Sequence, residues 1–218
     1  MQLYSHLFFD CDGVILDSNH IKTKSFYEIA IKFGERNAKK LVDYHIANGG
    51  ISRYVKLKYF INEILGLDDE EIYNKLIIEY ENLVKKHLLK CSIDDGIYKI
   101  DKSLPKINKA IISGSDQIEL IWLFKERKIY DIFNFGIFGS PKNKKEIFKE
   151  IFSNFTGKEK CLFFGDSKYD YEVSKEFEMD FIFVNNWTEF KNWKIFLKYN
   201  QINTINNLSE FNQINYLN

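Results

Sequence analysis

The stretch Phe8–Ser18, FFDCDGVILDS, decides how the rest of the chain is read. It begins as the end of an apolar strand and runs directly into Asp10, Asp12 and, five residues later, Asp17. Carboxylates two residues apart beside a core strand repel each other and lose hydration together. A cation is therefore expected among them. Gly13, next to Asp12, permits a backbone conformation that other residues resist.

Four more short apolar runs resemble the first: AIISGSD from Ala110, FGIFGSP from Phe135, CLFFGDS from Cys161 and FIFVNN from Phe181. They lack clean alternation, which suits strands covered on both faces, as in a parallel sheet. Between them, QIELIWLFKERKIY and NKKEIFKEIFSNF repeat apolar residues at helical spacing. Strand alternating with helix predicts an α/β fold, a doubly wound parallel sheet of Rossmann-like form. Ligands sit beyond the carboxyl ends of such strands, where the polar clusters fall. Residues 19–90 differ: HIKTKSFYEIAIKFG, RYVKLKYFINEILG and DDEEIYNKLIIEYENLVKKHLLK read as amphipathic helices with no strand between them. LDDEE offers an acidic helix start and KKHLLK a basic helix end, matching the helix dipole. The expected division is a core of residues 1–17 and 92–218, with an all-helical cap, 18–91, inserted after the first strand. The Asn-rich end, YNQINTINNLSEFNQINYLN, reads as a surface strand and helix.

Composition narrows the function. The 218 residues carry 31 basic and 31 acidic side chains, a balance with no field for nucleic acid or an anionic membrane. Cys11, Cys91 and Cys161 are scattered and without CxxC spacing, as expected of buried thiols in a cytoplasmic protein. The apolar run from Leu7 stops at Asp10, too short for a signal peptide, and no apolar stretch approaches the roughly 20 residues that span a bilayer.

Four elements carry chemistry: Asp10-x-Asp12-Gly13-Val14-x-x-Asp17-Ser18, a strand ending in Ser113-Gly114, a lysine group of Lys142, Lys144 and Lys145 opening a helix, and a strand ending in Gly165-Asp166-Ser167-x-x-Asp170. In this order they resemble the haloacid dehalogenase (HAD) superfamily, in particular its phosphoglycolate phosphatase and β-phosphoglucomutase-like branch with a helical cap. The likeness covers nearly the whole chain, and the first and fourth motifs are the specific ones.

The resemblance implies roles. Asp10 would be the nucleophile, forming an aspartyl-phosphate that splits one hard displacement into two. Asp12 would be the general acid and base, its backbone carbonyl on the metal. An acid at this position points to phosphate esters, since haloacid dehalogenases lack one and phosphonatases carry a small residue. Asp166 and Asp10 would hold Mg²⁺, whose hard-oxygen preference suits them. Asp170 would hold the metal's waters or the lysine, a plain helix-surface Asp being the alternative. Ser113 and the Gly114 amide would bind phosphoryl oxygens. Lys144 is the favoured cation, with Lys142 and Lys145 as alternatives. In the cap, Gly50-Ile51-Ser52-Arg53 matches a Gly-x-Ser-Arg stretch that faces substrate in relatives, so Arg53 would grip a second anionic or hydroxyl group, a surface arginine being the alternative. Lys22, a further candidate for binding the substrate's phosphate, stands where many relatives carry His, which weakens a mutase reading. A short Pro-containing link from Gly96 to the Ser113 strand replaces the usual long helix.

The expected activity is a Mg²⁺-dependent phosphatase acting on a small phosphate monoester: a sugar, polyol, amino-alcohol or glycolate-like phosphate. Likeness in the cap to HAD phosphatases of cell-surface polysaccharide precursor pathways hints at that substrate class. A sugar phosphomutase is the alternative, and a phosphometabolite-binding protein on a lapsed enzyme fold is the third reading. The protein is expected to be a monomer or homodimer.

Overall fold

The computed structural model describes residues 4–211. Its sheet is parallel and six-stranded, in the order β3-β2-β1-β4-β5-β6. The strands are β1 (His6–Phe9), β2 (Asn108–Asp116), β3 (Gly136–Ser140), β4 (Cys161–Gly165), β5 (Asp180–Val184) and β6 (Asn203–Ile205). β1 lies between β2 and β4, with Phe9 opposite Ile111 on one side and Phe164 on the other. The chain winds outward from β1 through β2 to β3, then returns to β4 and winds the other way. That reversal puts the topological switch between β1 and β4, so Asp10 and Asp166 follow neighbouring strands at the place where such sheets bind ligands.

Both faces of the sheet are covered, which explains the unbroken apolar runs. Along β1, Leu7 and Phe9 enter one core and Phe8 the other, the two-residue period of a strand. The Phe9 and Phe164 rings stack 4.9 Å apart, and Phe8 meets Phe148 edge-on at 5.1 Å.

The helical insertion follows β1 at once. It comprises α1 (Asn19–Ala30), α2 (Glu35–Ala47), α3 (Arg53–Tyr59), which continues as a wider turn over Phe60–Leu65, and α4 (Glu70–Leu88). Asp69 accepts from the Ile72 amide and caps α4; Glu70 and Glu71 occupy its first turn, and Lys85, Lys86 and His87 its last. The charge asymmetry in the sequence is thus placed as the helix dipole favours.

The link beyond Cys91 contains a short helix, α5 (Gly96–Ser103). Asp94 holds its start, accepting from the amides of Gly96 at 2.8 Å and Leu208 at 3.0 Å. The remaining helices are α6 (Gln117–Glu126), α7 (Lys144–Ser153), α8 (Lys168–Glu176) and α9 (Trp193–Asn200). Within the Asn-rich end, β6 and a 3₁₀ turn at Leu208–Glu210 form; residues 212–218 lie outside the described residues, as do 1–3. The three cysteines are buried and unpaired. Among the described residues no helix is long and apolar enough to cross a membrane.

Candidate active site

The loop after β1 turns back on itself because Gly13 takes a φ of +79°. A Cβ there would lie 2.1 Å from Asp166 Oδ2 and 2.4 Å from Asn19 Nδ2. Glycine is thus required twice, by conformation and by the approach of the loops after β1 and β4.

Asp10 is buried at the end of β1. Its Oδ1 accepts from the Cys11 amide at 2.7 Å and lies 2.9 Å from Lys144 Nζ. Lys144 is fully enclosed and also reaches Asp170 Oδ1 at 2.5 Å. By contrast Lys142 pairs with Glu150 and Lys145 with Glu176 on the surface, so Lys144 is the lysine that the helix phase turns inward. Asn143 caps α7 and fixes that phase through a reciprocal bond pair with Glu146.

Asp170 has the same origin in a cap. Ser167 caps α8, its hydroxyl accepting from the Asp170 amide, while Asp170 Oδ2 accepts from the Ser167 amide and hydroxyl. The Ser-x-x-Asp spacing thus builds a helix start and places a carboxylate against Lys144. Both Asp170 oxygens are engaged, one by Lys144 and one by Ser167.

Oxygens of Asp10, Asp166 and Asp170 all lie within 4.8 Å of one another, and all three residues are buried. Asn19 donates to Asp166 Oδ2 at 2.7 Å and is the one side-chain partner of that carboxylate among the described residues. Burial and the charges of Asp10 and Asp170 push Asp166 well above the usual carboxylate range. Burial likewise pushes Asp10 up to about 7; Lys144 opposes this, and Asp170 and Asp12 add to it. One lysine does not balance three acids. The under-compensated, all-oxygen set fits a hard divalent cation such as Mg²⁺.

Asp12 sits in different surroundings. Its Oδ1 accepts from Ser18 Oγ at 2.5 Å, and its Oδ2 from Lys22 Nζ at 2.5 Å and Ser115 Oγ at 2.8 Å. Burial pushes its pKa up, but Lys22 and the three hydrogen bonds outweigh that and hold it below the usual range. Lys22 is itself buried and also reaches Ser115 Oγ. Lys22, expected at the substrate's phosphate, is thus placed against Asp12 and restrains it.

Other expected residues are placed less simply. Gly114 lines the cavity, and a Cβ on it would meet the Gly50 carbonyl oxygen at 2.2 Å. Ser113 is fully buried, and its hydroxyl accepts from the Ser115 amide. Arg53 lines the cavity, yet its Nη2 is committed to Glu119 Oε1 at 2.6 Å. Asp17 lies 3.3 Å from exposed His20 and is not one of the three clustered acids.

Sequence reasoning passed over Asn19, Ser115, His45, Lys56 and Glu119. All but Glu119 line the cavity of about 230 Å³ that also holds Asp10, Asp12 and Asp166. A signal for Lys56 existed: it lies three residues after Arg53, hence on the same face of α3.

The haloacid dehalogenase-like hydrolase family model matches residues 4–177, and the chain belongs to that family of enzymes. Similar solved structures include a β-phosphoglucomutase from Clostridium difficile (19% identity, 98% of this chain and 95% of that one, TM-score 0.72). A predicted phosphatase from Clostridium acetobutylicum is also similar (19% identity, 96% of both chains, TM-score 0.71). So is CbbY from Rhodobacter sphaeroides, solved with phosphate (13% identity, 95% of this chain and 96% of that one, TM-score 0.67). At these identities the likeness shows a shared fold. No curated protein matches the chain.

Proposed function

We propose that this hydrolase is a Mg²⁺-dependent phosphatase of small phosphate monoesters: a sugar, polyol, amino-alcohol or glycolate-like phosphate. The observation that carries the reading is the pair of buried carboxylates two residues apart in opposite surroundings: Asp10 against Lys144, Asp12 against Lys22 and two serine hydroxyls.

Asp10 is the nucleophile. Its Oδ1 is fixed by the Cys11 amide and Lys144, which leaves Oδ2 to attack phosphorus. The product is an aspartyl-phosphate, and the alcohol leaves. Lys144 stays beside the reacting carboxylate as fixed positive charge, held in place by Asp170. Asp10, Asp166 and the Asp12 backbone carbonyl would hold Mg²⁺, which supplies positive charge against the phosphoryl oxygens when bound. Asp170, spent on Lys144 and Ser167, orients that lysine.

Asp12 protonates the leaving oxygen and then takes a proton from the attacking water. Lys22 and the hydroxyls of Ser18 and Ser115 poise it as a carboxylate, the form needed for the second step. An arriving phosphate dianion opposes that negative charge and favours the protonated form needed for the first. Helices α1–α3 cover the cavity and exclude bulk water. We place the enzyme in the cytoplasm, as a monomer or homodimer.

Phosphate release from a panel of monoesters tests this, with Mg²⁺, with EDTA, and with Asp10→Asn beside the wild type. Release is expected to need both the metal and Asp10, with the variant reduced at least about 10³-fold. Release that survives Asp10→Asn would sink the reading. Turnover only in the presence of a bisphosphate activator would assign a phosphomutase instead.

A further inference from the structure

Four lysines are buried in the described structure: Lys22, Lys56, Lys109 and Lys144. Three meet a carboxylate: Lys22 meets Asp12 at 2.5 Å, Lys109 meets Asp101 at 3.1 Å, and Lys144 meets Asp10 and Asp170. Lys56 does not. Its Nζ lies 2.8 Å from His45 Nδ1 and 5.9 Å from the centre of the Phe26 ring, and no carboxylate among the described residues comes within 4 Å. Both Lys56 and His45 line the cavity that holds Asp10 and Asp12.

We propose that Lys56, oriented by His45, is the binding site for a second acidic group of the substrate: a carboxylate or further phosphate on the alcohol part of the monoester. The proposal rests on the phosphatase reading and narrows its substrate class.

An enclosed ammonium without a counter-charge is unfavourable, and a hydrocarbon of the same length would pack there at no such cost. Burial and the nearby Lys22 push Lys56 down to about 7, so the ammonium is the form below that pH, and an anionic group arriving beside it favours the ammonium at higher pH as well. Burial, Lys56 and Lys22 together push His45 well below its ordinary value. His45 is therefore a neutral imidazole whose Nδ1 accepts one Lys56 proton, leaving two of the ammonium's three donors for a ligand. On the same face of α3, Arg53 has its charge met by Glu119 and, at 3.7 Å, by Glu81, but its Nη1 is also buried without a hydrogen-bond partner. This side of the cavity thus holds unmatched donors and unmatched positive charge. An anionic tail answers both, a polyol tail answers only the first, and an amino-alcohol tail meets two buried lysines of its own sign.

Binding can be read without turnover, using phosphonates that resist hydrolysis. Phosphonoacetate, 3-phosphonopropionate and 4-phosphonobutyrate span the unknown distance between the two groups. Each is compared by calorimetry with an alkylphosphonate of equal length, in Mg²⁺, on wild type, Lys56→Met and Lys56→Gln. At least one carboxylated member should bind wild type about tenfold more tightly than its alkyl partner. Both substitutions should bring that ratio to within about twofold, and alkylphosphonate affinity should change less than about threefold. Wild type without the preference, a preference that survives both substitutions, or no binding of any phosphonate overturns the proposal. Phosphate release from phosphoglycolate and ethyl phosphate on the same samples reads the phosphatase assignment separately. Selective binding without release keeps the subsite and removes hydrolysis. Release without charge preference does the reverse.

Discussion

Three lysines in this molecule show how surroundings set what one residue type does. Lys144 lies between Asp10 and Asp170; burial would lower its proton affinity, but the two carboxylates outweigh that and raise it. Lys22 faces Asp12 with a similar outcome. Lys56 has burial without a carboxylate, and its proton affinity falls to about 7 from the usual lysine value near 10.4. That depression links to stability. Between about pH 7 and 10 the unfolded chain holds a proton on Lys56 that the folded chain does not, so stability rises with pH across this window, by at most ~1.4 kcal/mol per pH unit. Lys56→Met removes that contribution. Urea unfolding of wild type and variant at about pH 7, 8 and 9 should show the variant ahead at the lowest pH and the gap closing upward. A gap that stays constant would mean that Lys56 is not depressed. The sequence placed Lys56 on the Arg53 face of α3, but the property that distinguishes it, the lack of a carboxylate beside it, was not legible there.

At the scale of the element, the starts of α7 and α8 do both structural and chemical work. Each begins with a reciprocal capping pair, Asn143 with Glu146 and Ser167 with Asp170. In α8 the pair includes the residue that holds Lys144. Ser167→Ala removes the cap hydroxyl and one of the hydrogen bonds fixing Asp170, and should cost about 1 kcal/mol. The urea midpoint should fall with an unchanged slope. Phosphate release should fall more than that stability loss explains, because Asp170 loses its restraint; release equal to wild type would show that the cap serves folding alone. The motif Gly165-Asp166-Ser167-x-x-Asp170 was readable because strand end, cap and helix start lie in one local stretch. The contact between Lys22 and Asp12 was not foreseen, although they lie ten residues apart, because it depends on how α1 leaves the β1 loop.

Across the whole molecule, the inserted helices are joined to the sheet by polar contacts at the cavity rim. Arg53 meets Glu119 at the start of α6, and the Tyr54 hydroxyl donates to Asp116, which itself caps α6. Glu119→Gln would leave Arg53, 4% exposed at its side chain, without its full charge partner, and a loss of about 3 kcal/mol is expected. Glu81, 3.7 Å from Nη1, limits that loss. In a double-mutant cycle with Arg53→Met, the pair of changes should cost less than the sum of the two. Additive costs, measured by urea unfolding, would show that the two side chains do not act together.

The sequence by itself determined the α/β alternation, the position of the helical insertion, the HAD resemblance and the identity of Asp10, Asp12, Asp166 and Asp170 as a group. Those features are local: a strand's periodicity, a cap spacing and a glycine turn are written within ten or so residues. Tertiary structure decided for Lys144, the lysine the sequence favoured, over Lys142 and Lys145, and it alone decided that Lys22 holds Asp12, that Arg53 is spent on Glu119, and that Lys56 is left without a carboxylate. Each depends on which side chain from a distant element arrives within hydrogen-bond reach. That is settled by the packing of helices on the sheet, and a lysine's place in the chain does not name the partner it will meet.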